Sequence, residues 1–320
     1  MALTVERIQQ ARERISPYIV QTPMLRMKSL DRYLGCQVYV KAECMQTTGS
    51  FKLRGAVNKA LTLTPEQLKC GIVAASSGNH GKGIAYAAKM LGSKATIVVP
   101  YTTTQVKVDA IRALGVEIVQ CETPVRFQVA EELSRKLGAT MIQSFNDEDI
   151  MAGQGTAGLE IVEQCPEVDK VIVPVSGGGL IGGVSTAIKG MAPRVKVYGA
   201  EPAALPRYSE SLKAGKPVKV EQKRSLADAL VAQIPGDICF PYVKANTDGF
   251  AAVEDQYMLK GMKLLLTEGK VLCEPSSGIG MGAVMQGLIP VSPQEKVCFL
   301  ISGGSVGLDQ LRSLEEVELL

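Results

Sequence analysis

The chain has a single histidine, His80, in 320 residues. That excludes metal sites built from several histidines and, unless another base is present, a serine–histidine triad. Its eight cysteines (Cys36, Cys44, Cys70, Cys121, Cys165, Cys239, Cys273, Cys298) lie singly, mostly inside apolar runs, without the close pairs of a zinc site. They read as reduced core residues of a cytoplasmic protein. No stretch approaches about 18 consecutive apolar residues, so no membrane span is expected. Charged tracts are missing too: 35 basic and 32 acidic residues are interspersed, for a net +3. Neither a nucleic acid nor an anionic membrane is favoured as partner, which leaves small molecules.

What is present is a hydrophobic content of 46%, enough to build one large or two medium domains. The opening "MALTVERIQQARERI" has the spacing of a short amphipathic helix and lacks the unbroken apolar core of a secretion signal. From residue 71 onward, β-rich runs alternate with helical patterns: "GIVAAS", "KATIVVP", "VEIVQC" and "TMIQSF" are separated by stretches such as "NHGKGIAYAAKMLG" and "VRFQVAEELSRKLG". The rhythm resumes after "NDEDIMAGQGTAGLEIVEQ" with "KVIVPV", "KVYGAEP" and "KVCFLIS". Crossovers long enough for a helix, joining continuously apolar strands, predict parallel sheets covered by helices, in two α/β units. Residues 203 to 250 break the rhythm and read as helices and loops capping a site.

Four glycine or serine turns adjoin strand ends: "SSGNHGKG" (76 to 83), "SGGGLIGG" (176 to 183), "EPSSGIGMG" (274 to 282) and "SGGSVG" (302 to 307). Ligands of open α/β sheets bind beyond the carboxyl ends of strands, so the four turns point to one crevice. "VIVPVSGGGLIGGVSTAIKG" is laid out as strand, glycine turn and helix, which aims backbone N–H groups and the positive helix end at an anion. It does not match the nucleotide pattern G-x-x-x-x-G-K-[ST]. Although G-x-G-x-x-G runs from Gly177 to Gly182, no acidic residue sits at the end of the next strand in the right register for a ribose. In "TGSFKLRG" (48 to 55), Lys52 stands directly behind Phe51. Such a lysine either packs its stem with its head in water or is kept for chemistry with a carbonyl compound. A lysine nucleophile, a phosphate cradle and several polar turns together suggest pyridoxal 5'-phosphate, whose aldehyde a deprotonated lysine captures as an imine.

The ordered set "TGSFKLRGA", "SSGNHG", "AGQGT", "VPVSGGGLIGG", "GAEP", "EPSSG" and "SGGS" resembles the threonine dehydratase and serine racemase family over about residues 5 to 310. These are fold type II pyridoxal-phosphate enzymes, similar to the tryptophan synthase β chain. The resemblance implies two open, twisted, mostly parallel sheets with flanking helices: a large cofactor-binding domain of residues 1–66 and 148–320, and a small mobile domain of residues 67–147. It also implies that Lys52 is the imine lysine, that Phe51 packs on the cofactor ring and that Asn79 holds the ring hydroxyl. Ser176, Gly177, Gly178, Gly179 and Leu180 would hold the phosphate; Glu274 would lie near the ring and Ser302 would face its nitrogen. Ser76, Ser77, Gly78, Asn79 and His80 would grip the substrate carboxylate, with Arg126 the assisting arginine of the racemase branch; a purely structural histidine is the other reading of His80.

A serine at the ring nitrogen makes a weaker electron sink than a carboxylate would, favouring reactions that discharge the carbanion by expelling a β-substituent. Ser77 stands where many dehydratases of the family have alanine. Its hydroxyl is placed either to act as a second base opposite Lys52 or only to bond the carboxylate. In the racemase branch an acidic residue after "EP" joins the glutamate in binding a divalent cation; here Pro206 and Arg207 occupy that region. No metal is therefore expected, and Arg207 is expected to pair with Glu201. Asp228 is followed by Ala229 where the family commonly has glycine, which loosens the expectation of plain threonine as substrate. With "SGGSVGLDQL" close to the end of the sequence, the regulatory domain of biosynthetic threonine dehydratases, and feedback control through it, is not expected.

The resulting expectation is a cytoplasmic lyase that eliminates water from a β-hydroxy amino acid such as threonine or serine, giving a 2-oxo acid and ammonia. Its rivals are a serine-type racemase using Lys52 and Ser77, a catabolic dehydratase of the hydroxyaspartate or hydroxyectoine branch, and a non-catalytic pyridoxal-phosphate regulator. The expected partner is a small amino-acid substrate, and the expected assembly a homo-oligomer, by default a dimer.

Overall fold

The computed structural model describes residues 2–319; Met1 and Leu320, the outer limits of the expected large domain, lie outside the described residues. Ten strands occur among them: β1 (Met24–Arg26), β2 (Gln37–Ala42), β3 (Ile72–Ala75), β4 (Ala95–Pro100), β5 (Glu117–Cys121), β6 (Thr140–Met141), β7 (Lys170–Pro174), β8 (Lys196–Pro202), β9 (Gly249–Val253) and β10 (Lys296–Ile301). They form a six-stranded sheet of order β1-β2-β10-β7-β8-β9 and a four-stranded sheet of order β5-β4-β3-β6. Every pairing is parallel except β1 with β2. The protein is thus α/β, with two mostly parallel sheets. Strands β4 and β7 are buried along their whole length, because helices cover both faces and no alternating polar edge is needed.

The amino-terminal helix Val5–Ile15 is capped by the Thr4 hydroxyl, which accepts from the Arg7 N–H, and it buries Ile8, Ala11 and Ile15 on one face. Strands β1, β2 and β9 were not expected from the sequence. Residues 203–250 do contain the expected helices, Arg207–Ala214 and Cys239–Asn246, joined by irregular chain. The cysteines are all free; six are buried, but Cys44 is half-buried and Cys70 exposed, which corrects the reading of all eight as core. Cys70 falls on the last turn of a six-residue helix, Pro65–Cys70, that buries none of its residues. Among the described residues no helix is long and apolar enough to cross a membrane.

Two features tie the large sheet's helices together. Helices Glu148–Gln164 and Gly179–Met191 cross with their backbones in contact: a Cβ on Gly183 would lie 2.2 Å from the Met151 carbonyl oxygen, and one on Gly155 2.8 Å from that of Gly183. Beside that crossing lies a layer of buried charge. Arg54, on helix Lys52–Leu61 and fully buried, donates to Glu43 through Nε (2.7 Å) and Nη2 (2.8 Å), and to Glu160 through Nη1 (2.6 Å) and Nη2 (2.8 Å). Lys41 donates to Glu160 and to the Thr22 carbonyl, so two cations face two carboxylates in the interior. Arg54 is held firmly charged by its two glutamates, although burial opposes it.

Candidate active site

The carboxyl ends of the parallel strands bring the four turns together. Ser76 follows β3, Ser176 follows β7, Ser302 follows β10, and Glu274 precedes helix Pro275–Met285. They surround a cavity of about 660 Å³. Phe51, Lys52, Ser76, Ser77, Gly78, Asn79, His80, Arg126, Ser176, Gly177, Gly178, Gly179, Leu180, Glu274 and Ser302 all line it. Every site residue expected from the sequence therefore reaches one space.

Lys52 opens its helix, and the stretch before it is pinned to the end of β10: the Phe51 N–H donates to the Ser302 carbonyl at 3.0 Å, and Ser50 bridges to Gly303. Its Nζ donates to the Ser144 carbonyl at 2.8 Å and lies 4.9 Å from the centre of the Phe51 ring. Among the described residues no carboxylate pairs with it. Burial consequently lowers its pKa to about 8, against the weaker opposing influence of Cys239 and Glu274. The amine therefore deprotonates far more readily than an ordinary lysine, which makes it a better nucleophile.

The glycine turn is shaped by what a side chain would strike. Gly178 has φ +104°, and a Cβ there would lie 1.8 Å from the Tyr208 hydroxyl oxygen. That hydroxyl donates to the Gly177 carbonyl at 3.1 Å. Helix Gly179–Met191 begins immediately after, so its first N–H groups lack intrahelical acceptors and face the cavity end of the strand.

Across the cavity, Asn79 Nδ2 donates to both carboxylate oxygens of Glu274 at 3.0 Å, while Asn79 Oδ1 accepts from the Ser305 hydroxyl at 2.6 Å. Burial raises the Glu274 carboxyl to about 7, opposed by that amide bond. The Ser302 and Ser277 hydroxyl oxygens are 3.1 Å apart. His80 spends Nε2 on the Ile142 carbonyl at 3.0 Å, and burial together with the Lys52 charge lowers its pKa to about 3, so the imidazole stays neutral. Its Nδ1 is left as an acceptor, and its backbone N–H, in the first turn of helix Asn79–Met90, has no intrahelical acceptor. The Ser77 hydroxyl makes no hydrogen bond with a described residue. Arg126, half-buried, stacks over Phe127 and pairs with no carboxylate among the described residues.

Some lining residues were not foreseen. Ser144 supplies only a carbonyl to Lys52, 92 positions away, and a backbone acceptor carries no side-chain signal. Lys107 pairs with Asp228 at 3.3 Å across the mouth, from helix Gln105–Arg112 to the irregular 203–250 region. Lys82 lay inside the quoted "SSGNHGKG" and donates to Ser305 Oγ at 3.3 Å. Of these, Lys82 alone was findable.

The expected Arg207–Glu201 ion pair is not formed. Glu201 accepts from the N–H groups of Tyr208 (2.9 Å) and Ser209 (2.7 Å) and from the Ser209 hydroxyl (2.7 Å), because it caps the start of helix Arg207–Ala214. Arg207 turns instead to two backbone carbonyls, those of Val175 (2.8 Å) and Leu230 (3.0 Å). A carboxylate already holding three donors, with a buried guanidinium beside it, does not fit a divalent cation. Among the described residues no cluster of three His, Cys, Asp or Glu side chains is placed to hold one.

An amine on the cavity wall beside an aromatic ring, with a depressed pKa, and a helix amino terminus behind a glycine turn fit an aldehyde-bearing phosphate. Residues 15–303 match the pyridoxal-phosphate dependent enzyme family, and the chain belongs to it. Its cofactor is pyridoxal 5'-phosphate. Within that family the chain is 39% identical to the L-threonine ammonia-lyase of Thermotoga maritima, over 97% of this chain and 77% of the relative. It is 36% identical to the serine racemase of Oryza sativa subsp. indica, over 97% of this chain and 93% of the relative. The solved structure of maize serine racemase superposes with a TM-score of 0.93 at 35% identity, covering 98% of this chain and 97% of that one.

Proposed function

We propose that the protein is an ammonia-lyase that removes water from a β-hydroxy amino acid, with L-threonine and L-serine as its first substrates, releasing a 2-oxo acid and ammonia. The carrying observation is the Lys52 amine, half-buried and, among the described residues, without a carboxylate partner, in the cavity shared by the turns at Ser76, Ser176 and Ser302. Lys52 would bind the cofactor aldehyde, and the N–H groups from Ser176 to Leu180 would hold its phosphate. Phe51 would wall the ring, Asn79 would bond its hydroxyl, Ser302 would meet its nitrogen and Glu274 would lie alongside. When bound, the cofactor supplies an electron sink for the bonds to the substrate α-carbon.

The loop from Ser76 to His80 grips the substrate carboxylate, which leaves the α-hydrogen facing Lys52. The Lys52 amine would take that proton. The β-hydroxyl leaves as water, and hydrolysis of the dehydrated amino acid gives the 2-oxo acid and ammonia. A hydroxyl at Ser302, bonded to Ser277 and not to an acid, supports elimination, because it does not favour a protonated ring nitrogen. A second reading, racemisation, is favoured by the Ser77 hydroxyl, which lines the cavity without a hydrogen-bond partner and suits a base on the face opposite Lys52.

Incubation with L- and D-serine, L-threonine and threo-3-hydroxyaspartate, measuring both 2-oxo acid and enantiomer ratio, separates the readings. Formation of 2-oxo acid from an L-substrate upholds the lyase; inversion without it favours the racemase. If none of the four yields either, the proposal fails. Residues 67–147, which carry the separate four-stranded sheet, are proposed as a small unit that closes over the substrate against residues 1–66 and 148–320. A homodimer in the cytoplasm is the proposed setting, the latter supported by eight free cysteines.

A further inference from the structure

Arg207 is fully buried, yet among the described residues it bonds neither the substrate-binding loop nor a carboxylate; its Nε has no partner and its two Nη atoms carry its hydrogen bonds. Burying a guanidinium is expensive unless its donors are used, so their targets are informative. Nη1 donates to the carbonyl of Val175, the residue immediately before the glycine turn. Nη2 donates to the carbonyl of Leu230, in the irregular segment that forms the facing wall of the cavity. The two carbonyls are 55 positions apart in sequence, between Val175 and Leu230, and one planar group holds both. Its charge is balanced by Glu201, whose nearness opposes the fall of the Arg207 pKa to about 10 that burial imposes. Two further bonds stitch the same pair of segments, Ala232 N–H to Ser176 Oγ (3.2 Å) and Gly236 N–H to the Gly177 carbonyl (2.9 Å).

We propose that Arg207 is a positioning residue, a permanent internal cation whose two carbonyl bonds set the separation between the glycine turn and the Leu230 wall. Because the cation is covalently part of the chain, this corner of the site needs no dissociable metal. Arg207 acts through the backbone on either side and does not touch the reacting atoms. A lysine at this position keeps the charge, but its single nitrogen does not reproduce the planar fork that spans two carbonyls.

The role rests on the cofactor reading of the glycine turn but not on which amino acid is turned over. The test uses the purified holoprotein and its Arg207→Lys variant, with cofactor affinity, the visible circular dichroism of bound cofactor, and the thermal midpoint as readouts. For the variant, a cofactor dissociation constant raised about tenfold or more, with altered visible dichroism and retained far-ultraviolet dichroism, is expected. Affinity and visible dichroism both equal to native would overturn the role. The native protein supplies an arm that needs no variant: EDTA, and then Mg²⁺ or Ca²⁺ in excess, should leave thermal midpoint and cofactor affinity unchanged. A several-fold loss of affinity in EDTA, restored by either ion, overturns the proposal even if the variant does not fold. None of these readouts depends on the product assay, so the lyase assignment and this role fail separately.

Discussion

Two basic side chains two residues apart meet opposite fates. Arg54 is fully buried among Glu43 and Glu160 and is held charged; Lys52, two positions earlier on the same helix, has among the described residues only a carbonyl as hydrogen-bond partner and is pushed toward neutrality. The helix is the same, with Arg54 fully buried and Lys52 half-buried on the cavity wall, and the difference in charge state follows from what the neighbouring elements bring. The large sheet and helix Glu148–Gln164 bring carboxylates to one face; the Ser144 segment and the Phe51 ring bring none to the other. One cation is therefore structural and the other chemically poised.

Replacing each member of the pair tests that contrast most directly. Lys52→Ala should abolish 2-oxo acid formation, by about a thousandfold or more, and remove the visible absorbance of the bound cofactor while the protein remains folded. Arg54→Met should do the reverse in kind: loss of about 3–5 kcal/mol in urea unfolding, because Glu43 and Glu160 are left buried without their partner. If Arg54→Met is as stable as native, the contrast between the two cations is broken.

The proton linkage sharpens it. The folded-state pKa of Lys52 is lowered from 10.5 to about 8, so between those values the unfolded chain binds more protons and stability rises with pH. The penalty is complete below pH 8. Apo Lys52→Met should accordingly unfold at higher urea than apo native protein below pH 8, with the gap closing as pH approaches 10.5. Glu274 has the opposite slope. Its folded pKa is raised from 4.5 to about 7, so stability falls as pH rises through that interval and stays reduced above it; Glu274→Gln should flatten the slope in apo-protein melts. Smallest of all, Lys107→Gln removes a partly exposed pair with Asp228 and should change stability by no more than about 1 kcal/mol.

Much of this was legible beforehand, for reasons that can be located. Strands β3, β4, β7, β8 and β10 could be read because each is a short apolar run buried on both sides and followed by a helix, and the turns after β3, β7 and β10 carry the glycines and serines of the cavity. Strand β2 was missed because "QVYVKA" mixes Lys41 into its buried end, and that lysine is explained only by Glu160 on a distant helix. Strand β9, "GFAAV", is an edge strand of small residues with little periodicity. Local motifs placed all the candidate site residues but did not tell where Arg207 would point. A guanidinium choosing carbonyls over the nearest carboxylate depends on the Arg207–Ala214 helix having already claimed Glu201. Nor did the sequence reveal the Lys52 contact with Ser144, since the acceptor is main chain.

The glycine contact between helices Glu148–Gln164 and Gly179–Met191 has a bearing on how damage would spread. With no side chains to cushion them, the two rods are geared like meshed teeth. A tilt introduced near Glu160, far from any ligand, would be delivered to the first turn behind Ser176 almost undiminished. Tolerance to mutation along that rod should be lowest at the places furthest from view.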